Sequence, residues 1–208
     1  MAYKINVKET AISLLHFQND IVTPKGKMAY HGIPKQVKKY HIMENVAKAL
    51  DASRKAGVKV IYVNAVWRQG HPGINQKLFQ IPLIIGVRKA NICVKGTWGA
   101  DNPDEVKPQP TDIIVENWST CGFMHSDLDL ILRANGISNL VITGTATNWV
   151  VDSTTRVGME LGYNITIIKD CVQSFDDEMH NFAINIELPQ LANKIVTLDE
   201  YIKALKKA

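Results

Sequence analysis

A histidine stands where an apolar segment gives way to a polar one. His16 follows the run AISLL and precedes FQND in the stretch LLHFQNDIV. An imidazole titrates near neutral pH, so it can accept or release a proton under cellular conditions. His16 is therefore the first candidate for a general acid or base, to be weighed against the commoner role of a hydrogen-bonded core histidine.

Other polar residues stand in the same position relative to other apolar runs. They are Asn64, Asn117 and the segment after Thr143. In an open parallel sheet, ligands bind beyond the carboxyl ends of the strands, so these residues and His16 should face one crevice. An asparagine side chain both donates and accepts hydrogen bonds. Asn117 is therefore predicted to orient a ligand beside His16.

The apolar runs themselves are typical of buried parallel strands. They are rich in β-branched residues, and most lack the alternation of polar and apolar side chains that a half-exposed strand shows. The six clearest are AISLL, VKVIYV, DIIV, NLVIT, NITIIKD and KIVTL.

Helical patterns separate these runs. One helix is predicted over residues 41–56, where Ile42, Val46 and Leu50 share a face and Gly57 stops the helix. Others are expected in SDLDLILRANG, over about 148–161, over about 177–187 and in LDEYIKALKKA. Strands that alternate with helices predict a three-layer α/β/α fold, in which a parallel Rossmann-like sheet has helices on both faces.

The segment 66–106 differs from the rest because glycine and proline are spread through it. It is predicted to be an excursion outside the core, and loops of this length are usually lids or subunit contacts. Aromatic and histidine residues here and near the strand ends would favour a planar or apolar ligand. They are Trp67, His71, Trp98, Trp118, Phe123 and His125.

Composition limits the class of protein. A chain of 208 residues with 46% hydrophobic and 21% charged residues is typical of one soluble globular domain, here predicted to span residues 1–208. The net charge of +4 comes from scattered lysines, so no nucleic-acid partner is expected. No window approaches eighteen uninterrupted apolar residues and no signal peptide is visible, which predicts no membrane association and a cytoplasmic location.

The three cysteines, Cys93, Cys121 and Cys171, are far apart in the sequence and form no CxxC pair. They are interpreted as free thiols, since neither a disulfide framework nor a structural zinc site has this spacing.

Longer blocks of the sequence resemble the isochorismatase-like hydrolases, the cysteine hydrolase superfamily. The blocks follow one another over nearly the whole chain: AISLLHFQNDIV, GTWGADNPDEVKPQPTDIIV, STCGFMHSDLDLILRANGISNLVITGTATNWVVDSTTR and LGYNITIIKDC. The resemblance implies a six-stranded parallel sheet with helices on both sides, which agrees with the alternation described above. It also implies a homodimer or homotetramer whose partner subunit can cover the site.

Most members of that superfamily are amidases with an Asp, Lys and Cys triad, in which a thiolate attacks the amide carbonyl. The resemblance aligns the Asp with His16 of HFQND, the Lys with Asn117 of ENWSTCGF and the Cys with Val150 of GTATNWVV. A valine has no attacking atom, so a cysteine amidase mechanism at Val150 is excluded. A neutral residue at 117 also predicts a ligand that is less polar than a carbamoyl amide or differently charged.

Some members of the superfamily catalyse without the nucleophile. The isochorismatases proper keep the Asp, replace the Cys, and protonate a vinyl ether that water then attacks. The resemblance therefore implies that His16 can serve as general acid or base in a hydrolysis, or in an isomerisation or elimination, of a small organic molecule. The alternative is a catalytically inactive protein that binds a small ligand or acts in assembly, and a pocket filled by Trp149 or Trp118 would favour it.

Further site residues follow from the resemblance. The turn TGTATNWVV matches a family turn with a cis non-proline peptide, here at Thr145–Ala146. It implies that the backbone amides of Trp149 and Val150 point into the pocket from a helix start and bind an oxyanion or a carboxylate. Gln18 is expected to shape the adjoining loop. Trp118, Phe123 and Cys121 complete the predicted ligand-binding set.

A displaced nucleophile and a zinc site are two alternatives for this region. Cys121 lies four residues past Asn117 and is an alternative nucleophile, but free buried cysteines are usually inert packing residues. Some relatives bind zinc through an Asp-x-His pair, which the segment NAVWRQGHPG lacks. His71 alone does not make a metal site, so neither a metal nor another cofactor is predicted.

Overall fold

Six parallel strands form one sheet at the centre of the protein. The computed structural model describes residues 4–73 and 81–208. The strands are β1 (Thr10–Leu15), β2 (Lys59–Ala65), β3 (Ile113–Asn117), β4 (Asn139–Thr145), β5 (Asn164–Gln173) and β6 (Lys194–Val196). They pair in the order β3-β2-β1-β4-β5-β6, and all the pairs are parallel. Each strand coincides with one predicted run, so the six-stranded parallel sheet is confirmed.

Helices cover both faces of this sheet. They are α1 (Asn19–Val22), α2 (Ile33–Lys39), α3 (Ile42–Ala56), α4 (Pro82–Ala90), α5 (Leu128–Ala134), α6 (Asp152–Glu160), α7 (Asp177–Phe182) and α8 (Leu198–Leu205). The predicted helix over 41–56 is α3, and it ends at Gly57, whose φ of 81° is favourable for glycine. The three-layer α/β/α prediction is confirmed.

Two hydrophobic cores follow from the alternation of side chains along each strand. Successive strand residues point to opposite faces of the sheet. Ile12 and Leu14 of β1 accordingly pack in the core that contains residues of α3 and α8. Ala11 and Leu15 pack in the other core, which contains residues of α5. The uninterrupted apolar runs therefore reflect strands that are buried on both sides.

Two of the predicted helices are irregular. The one expected over 148–161 begins with a π-helical turn, Thr147–Val151, before α6. The one expected over 177–187 is α7 followed by a second π-helical turn, Ala183–Glu187. Residue periodicity alone does not distinguish such a turn from the α-helix that it extends.

The expectation that the segment 66–106 lies outside the core is wrong for much of it. Residues 74–80 lie outside the described part of the chain, but the remainder contains α4 and buried residues of the main core. Examples are Trp67, Ile92 and Val106, which are 8%, 2% and 1% exposed. Glycine and proline suggested a loop, yet Pro82 occupies the first turn of α4, where proline is well tolerated.

The strand order reverses between β1 and β4. The connections from β1 lead to β2 and β3 on one side, and those from β4 lead to β5 and β6 on the other. The carboxyl ends of β1 and β4 therefore flank a crevice of the kind in which open α/β sheets bind ligands. None of the helices in the described ranges has the length and apolar character needed to cross a bilayer.

Candidate active site

His16 lies directly beyond the carboxyl end of β1. Its backbone has a φ of 59°, a left-handed conformation that is uncommon for residues other than glycine. Its amide still donates to the carbonyl of Val63 in the neighbouring β2 at 3.0 Å, so the residue is anchored to the sheet. The side chain is buried, with 7% of the residue exposed. The strand end thus holds the imidazole at the edge of the crevice, as the sequence predicted.

Asn117, the last residue of β3, contacts this imidazole. Its Oδ1 lies 3.0 Å from Nε2 of His16. The orientation of the amide is determined by its nitrogen, because Nδ2 donates to the carbonyls of Ser119 at 3.1 Å and Cys121 at 2.8 Å. An amide oxygen only accepts, so Nε2 of His16 carries the proton. The second ring nitrogen, Nδ1, has no hydrogen-bond partner among residues 4–73 and 81–208.

The environment keeps His16 neutral. Burial lowers its pKa from 6.5 to about 4, and the hydrogen bond to Asn117 opposes this shift only in part. At neutral pH the ring is therefore an uncharged tautomer with a lone pair on Nδ1. In this resting state it can accept a proton and has no acidic proton beyond the one on Nε2.

A cavity of about 70 Å³ opens beside His16. Its wall combines residues from strand ends, from α2 and from α4, and nearly all of them are apolar. The lining side chains are Ile21, Met28, Ile33, Ala65, Trp67, Leu83, Ile84, Val87, Ile92, Cys93, Ala146, Trp149, Val150 and Phe175, with His16, Ser119, Thr120 and Thr145 as the polar members. This volume can hold several water molecules or one small organic molecule.

Part of the wall is aromatic. Trp149 and Phe175 meet edge to face, with ring centroids 6.4 Å apart and an interplanar angle of 80°. Trp149 is one of the lining residues and leaves the cavity open.

The turn after β4 carries the predicted cis peptide, which is confirmed at Thr145–Ala146. The hydroxyl of Thr145 donates to the carbonyl of His16 at 3.1 Å and joins this turn to the one after β1. The backbone N–H of Trp149 was expected to bind an oxyanion. In this structure it already donates to the carbonyl of Ala146 at 3.1 Å within the turn. Val150 lines the cavity with an aliphatic side chain.

Comparison with known proteins identifies the family of this chain. The model of the isochorismatase domain matches residues 10–200, which is most of the chain. The chain belongs to the isochorismatase domain family. The chain is similar in sequence to curated proteins of comparable length, and similar in fold to several solved structures.

Two curated relatives are ureidoacrylate amidohydrolases RutB. The protein of Agrobacterium fabrum is 30% identical over 210 residues, covering 96% of this chain and 91% of the relative. That of Azorhizobium caulinodans is 34% identical over 184 residues, covering 84% of this chain and 80% of the relative.

The solved structures show the same fold. A cysteine hydrolase from Pseudomonas syringae pv. phaseolicola superposes with a TM-score of 0.86 at 22% identity, over 99% of this chain and 96% of that one. N-carbamoylsarcosine amidase from Thermoplasma acidophilum gives a TM-score of 0.69 at 22% identity, over 92% and 97% of the two chains.

Other predicted residues of the isochorismatase-family site lie near the cavity without lining it. Gln18 donates from Nε2 to the carbonyl of Ala65 at 2.5 Å, which fits its expected role in shaping the loop. Its Oε1 is buried without a hydrogen-bond partner in the described part of the chain. Trp118 packs under Arg68, whose guanidinium carbon is 4.6 Å from the ring centroid.

Phe123 and Cys121 lie in the core on the far side of the sheet from α3. Phe123 stacks on Tyr163 with ring centroids 5.7 Å apart, and it does not border the cavity. Phe123 and Cys121, both predicted to bind a ligand, are therefore not among the residues that line the cavity next to His16. Cys121 is buried, its Sγ lies 3.5 Å from the carbonyl of Ser153, and burial raises the pKa of its thiol.

The remaining aromatic and histidine candidates are dispersed. Trp67 lines the cavity and His71 packs on Trp67, with ring centroids 5.5 Å apart. Trp98 is 51% exposed and borders a separate groove, and His125 is exposed. Within the described ranges no three His, Cys, Asp or Glu side chains are grouped to hold a metal ion.

Sequence reasoning missed several cavity residues. Ser119 and Thr120 follow β3, and Phe175 follows β5, so the rule that placed His16 at a strand end applies to them too. Leu83, Ile84 and Val87 had no such signal. They belong to α4, inside the segment that glycine and proline marked as a loop.

Proposed function

We propose that this isochorismatase-family protein is an enzyme that acts on a small organic molecule by proton transfer through His16, without a cysteine nucleophile. One observation carries the proposal: a neutral imidazole, fixed by Asn117 in the tautomer that leaves Nδ1 unprotonated, borders a cavity of substrate size. Nδ1 of His16 is the general base in this proposal. Asn117 is a positioning residue.

In a hydrolysis, Nδ1 takes a proton from water while the water oxygen bonds to the electrophilic carbon of the substrate. The imidazolium then returns this proton to the leaving group as its bond to carbon breaks. In an isomerisation or elimination, the same nitrogen takes a proton from carbon. The bond from Nε2–H to Asn117 strengthens when the ring is charged, because charge-assisted hydrogen bonds are the stronger ones. Negative charge that develops on the substrate favours the imidazolium further.

The cysteines support a mechanism without a thiolate. Val150 stands where the resemblance places the family nucleophile. Cys93 lines the cavity, but burial and the nearby Asp20 carboxylate raise the pKa of its thiol well above the ordinary value. Cys121 does not border the cavity and also has a raised pKa. Thiols with such pKa values remain protonated at neutral pH and are poor nucleophiles.

The second candidate function is binding without catalysis. The nearly apolar wall favours it, since such a cavity can retain a ligand without any reaction. Against it, Trp149 does not fill the cavity, Trp118 does not reach it, and a polar pair stands at its edge. The enzyme is therefore the preferred proposal.

The test is thermal unfolding of the wild type and of His16→Ala against amides, ureas, vinyl ethers and aromatic acids, with product analysis of each stabilising compound. Ureidoacrylate, named as the substrate of the RutB relatives, belongs in this panel. A ligand at 100 times its dissociation constant should raise the unfolding midpoint by about 5 to 10 °C. His125→Ala is the matched control, because His125 is exposed and has a similar φ of 54°.

The enzyme proposal predicts a compound that the wild type and His125→Ala consume and that His16→Ala only binds. If stabilising compounds bind all three proteins and none is consumed, the protein is a binding protein.

A homodimer or homotetramer remains part of the proposal, with support from the resemblance. Light scattering of the eluted protein measures this state directly, and a monomeric mass would contradict it.

A further inference from the structure

The cavity next to His16 has no charged side chain in its described wall. Its 18 lining residues include no Asp, Glu, Lys or Arg. The polar side chains of its lining residues are one neutral imidazole and the hydroxyls of Ser119, Thr120 and Thr145. The Thr145 hydroxyl already donates to the carbonyl of His16, and the oxygen of Ser119 accepts the amide of Cys121 at 3.2 Å. The few hydrogen-bonding side chains left in the wall are therefore suited to one uncharged polar group of a ligand.

A buried carboxylate contacts the wall from outside the lining. Asp20 is 1% exposed, and its Oδ2 accepts the amide of the lining residue Cys93 at 2.8 Å. Lys27 is not among the lining residues, and its partly exposed Nζ lies 3.9 Å from Oδ2 of Asp20 and 2.6 Å from the carbonyl of Asn91. The Asp20 carboxylate sets a negative field beside Cys93, which the Lys27 ammonium opposes only in part. An anion in the cavity would meet this field without a cation in the wall.

We infer that the cavity takes an uncharged ligand with an apolar body and excludes carboxylates. A carboxylate moved from water into this wall would lose its hydration and gain no ion pair, which is strongly unfavourable. A neutral amide, ester or ether of the same shape loses much less, because the lining residues Ser119, Thr120 and His16 offer hydrogen bonds to its one polar end. The inference rests on the proposed function only in taking this cavity as the substrate site.

The experiment compares uncharged and charged molecules of one shape. Acrylamide with acrylate, and propionamide with propionate, which are small enough for this cavity, are titrated calorimetrically into the wild type at pH 7.5, where His16 is neutral. The amide of at least one pair should bind more than about tenfold tighter than its acid, a difference set by the missing ion pair. A carboxylate that binds as tightly as its amide overturns the inference, as does a failure of all four compounds to bind.

A cation added to the wall provides the second measurement. Ile84→Lys adds a cation in α4, and Ile85→Lys, on the same helix but outside the lining, is the matched control. Ile84→Lys should shift the ratio of affinities toward the acid by about tenfold or more, and Ile85→Lys should leave it unchanged. Equal ratios in both variants contradict the inference. If Ile84→Lys is unfolded, Leu83→Lys replaces it at the next lining position.

The two proposals fail in different ways. If amides bind selectively and no compound is ever consumed, the uncharged-ligand inference holds and the enzyme proposal fails. If a carboxylate is bound and consumed through His16, the enzyme proposal holds and this inference fails.

Discussion

The imidazole of His16 donates through Nε2 to Oδ1 of Asn117 at 3.0 Å, and this contact joins the ends of two strands that are not neighbours in the sheet. β2 lies between them, and the carbonyl of Asn117 accepts the amide of Val66 just beyond β2 at 2.9 Å. Three consecutive strand ends are therefore held together around one histidine. Because Asn117 also has fixed partners for its nitrogen, it determines which nitrogen of the histidine is free to react.

Replacing Asn117 with Asp should change the protonation of His16. A carboxylate facing Nε2 stabilises the imidazolium, and an adjacent carboxylate typically raises a pKa enough to move His16 from about 4 to between about 5 and 7. An NMR titration of the imidazole carbon resonances measures this pKa, and the pH dependence of turnover should shift with it. Asn117→Ala, which removes the acceptor and adds no charge, is the control. An unchanged pKa in Asn117→Asp would contradict the contact described here.

The lowered pKa of His16 predicts how stability depends on pH. The unfolded chain binds a proton near pH 6.5, whereas the folded protein binds it only near pH 4. Below pH 6.5 the unfolded state therefore holds more protons, and stability falls as the pH falls toward 4. Between pH 7 and pH 4.5 this one residue should cost about 2 kcal/mol.

Urea unfolding of the wild type and His16→Asn at these two pH values isolates the effect of His16, because the other titrating groups are common to both proteins. Asparagine suits the comparison since it tolerates the left-handed backbone conformation at this position. The wild type should lose about 2 kcal/mol more than the variant on acidification. Equal losses would show that His16 titrates normally in the folded protein.

Gly99→Ala should disrupt the wall of the cavity. A β-carbon on Gly99 would overlap the carboxylate of Asp20, and this carboxylate binds the backbone amides of Cys93 and Lys27. Either the carboxylate moves and leaves those amides unpaired, or the backbone at Gly99 moves. We expect a loss of at least about 2 kcal/mol in urea unfolding.

Gly86→Ala is the control for that substitution. Gly86 lies within α4, and the closest atom to an added β-carbon is the Tyr30 hydroxyl at 3.8 Å, an ordinary contact. Alanine should therefore stabilise the protein by up to about 1 kcal/mol through its higher helix propensity. Destabilisation by both substitutions to the same extent would mean that the overlap with Asp20 is not the cause.

The three cysteines should be unreactive in the folded protein. All are buried, and burial is the first cause of the raised pKa of each thiol. Mass spectrometry after treatment with iodoacetamide at pH 7.5 should show alkylation more than about 100-fold slower than in 8 M urea. A variant with all three cysteines replaced by alanine should keep any turnover found for the wild type. Loss of turnover in this variant, with the fold retained, would contradict the proposed mechanism.

The sequence by itself determined the architecture and the position of the histidine. Strands buried on both faces leave uninterrupted apolar runs, so all six strands were visible from composition and spacing. His16 followed from its place at the end of such a run, and Asn117 and Val150 from residue-by-residue resemblance. These features depend on local pattern and on order along the chain, which a sequence displays directly.

Only the tertiary structure decided what surrounds the histidine. The contact between His16 and Asn117, which decides the protonated ring nitrogen, joins residues 101 positions apart in the chain. The burial that lowers the pKa of His16 likewise depends on the folded chain around it. The same holds for α4, whose glycine and proline suggested a loop, although its side chains line the cavity. The sequence assigned Phe123 to the site because of its position near the end of a strand, but its ring packs on Tyr163 in the core. Side-chain direction and long-range packing set these outcomes, and neither is encoded in local periodicity.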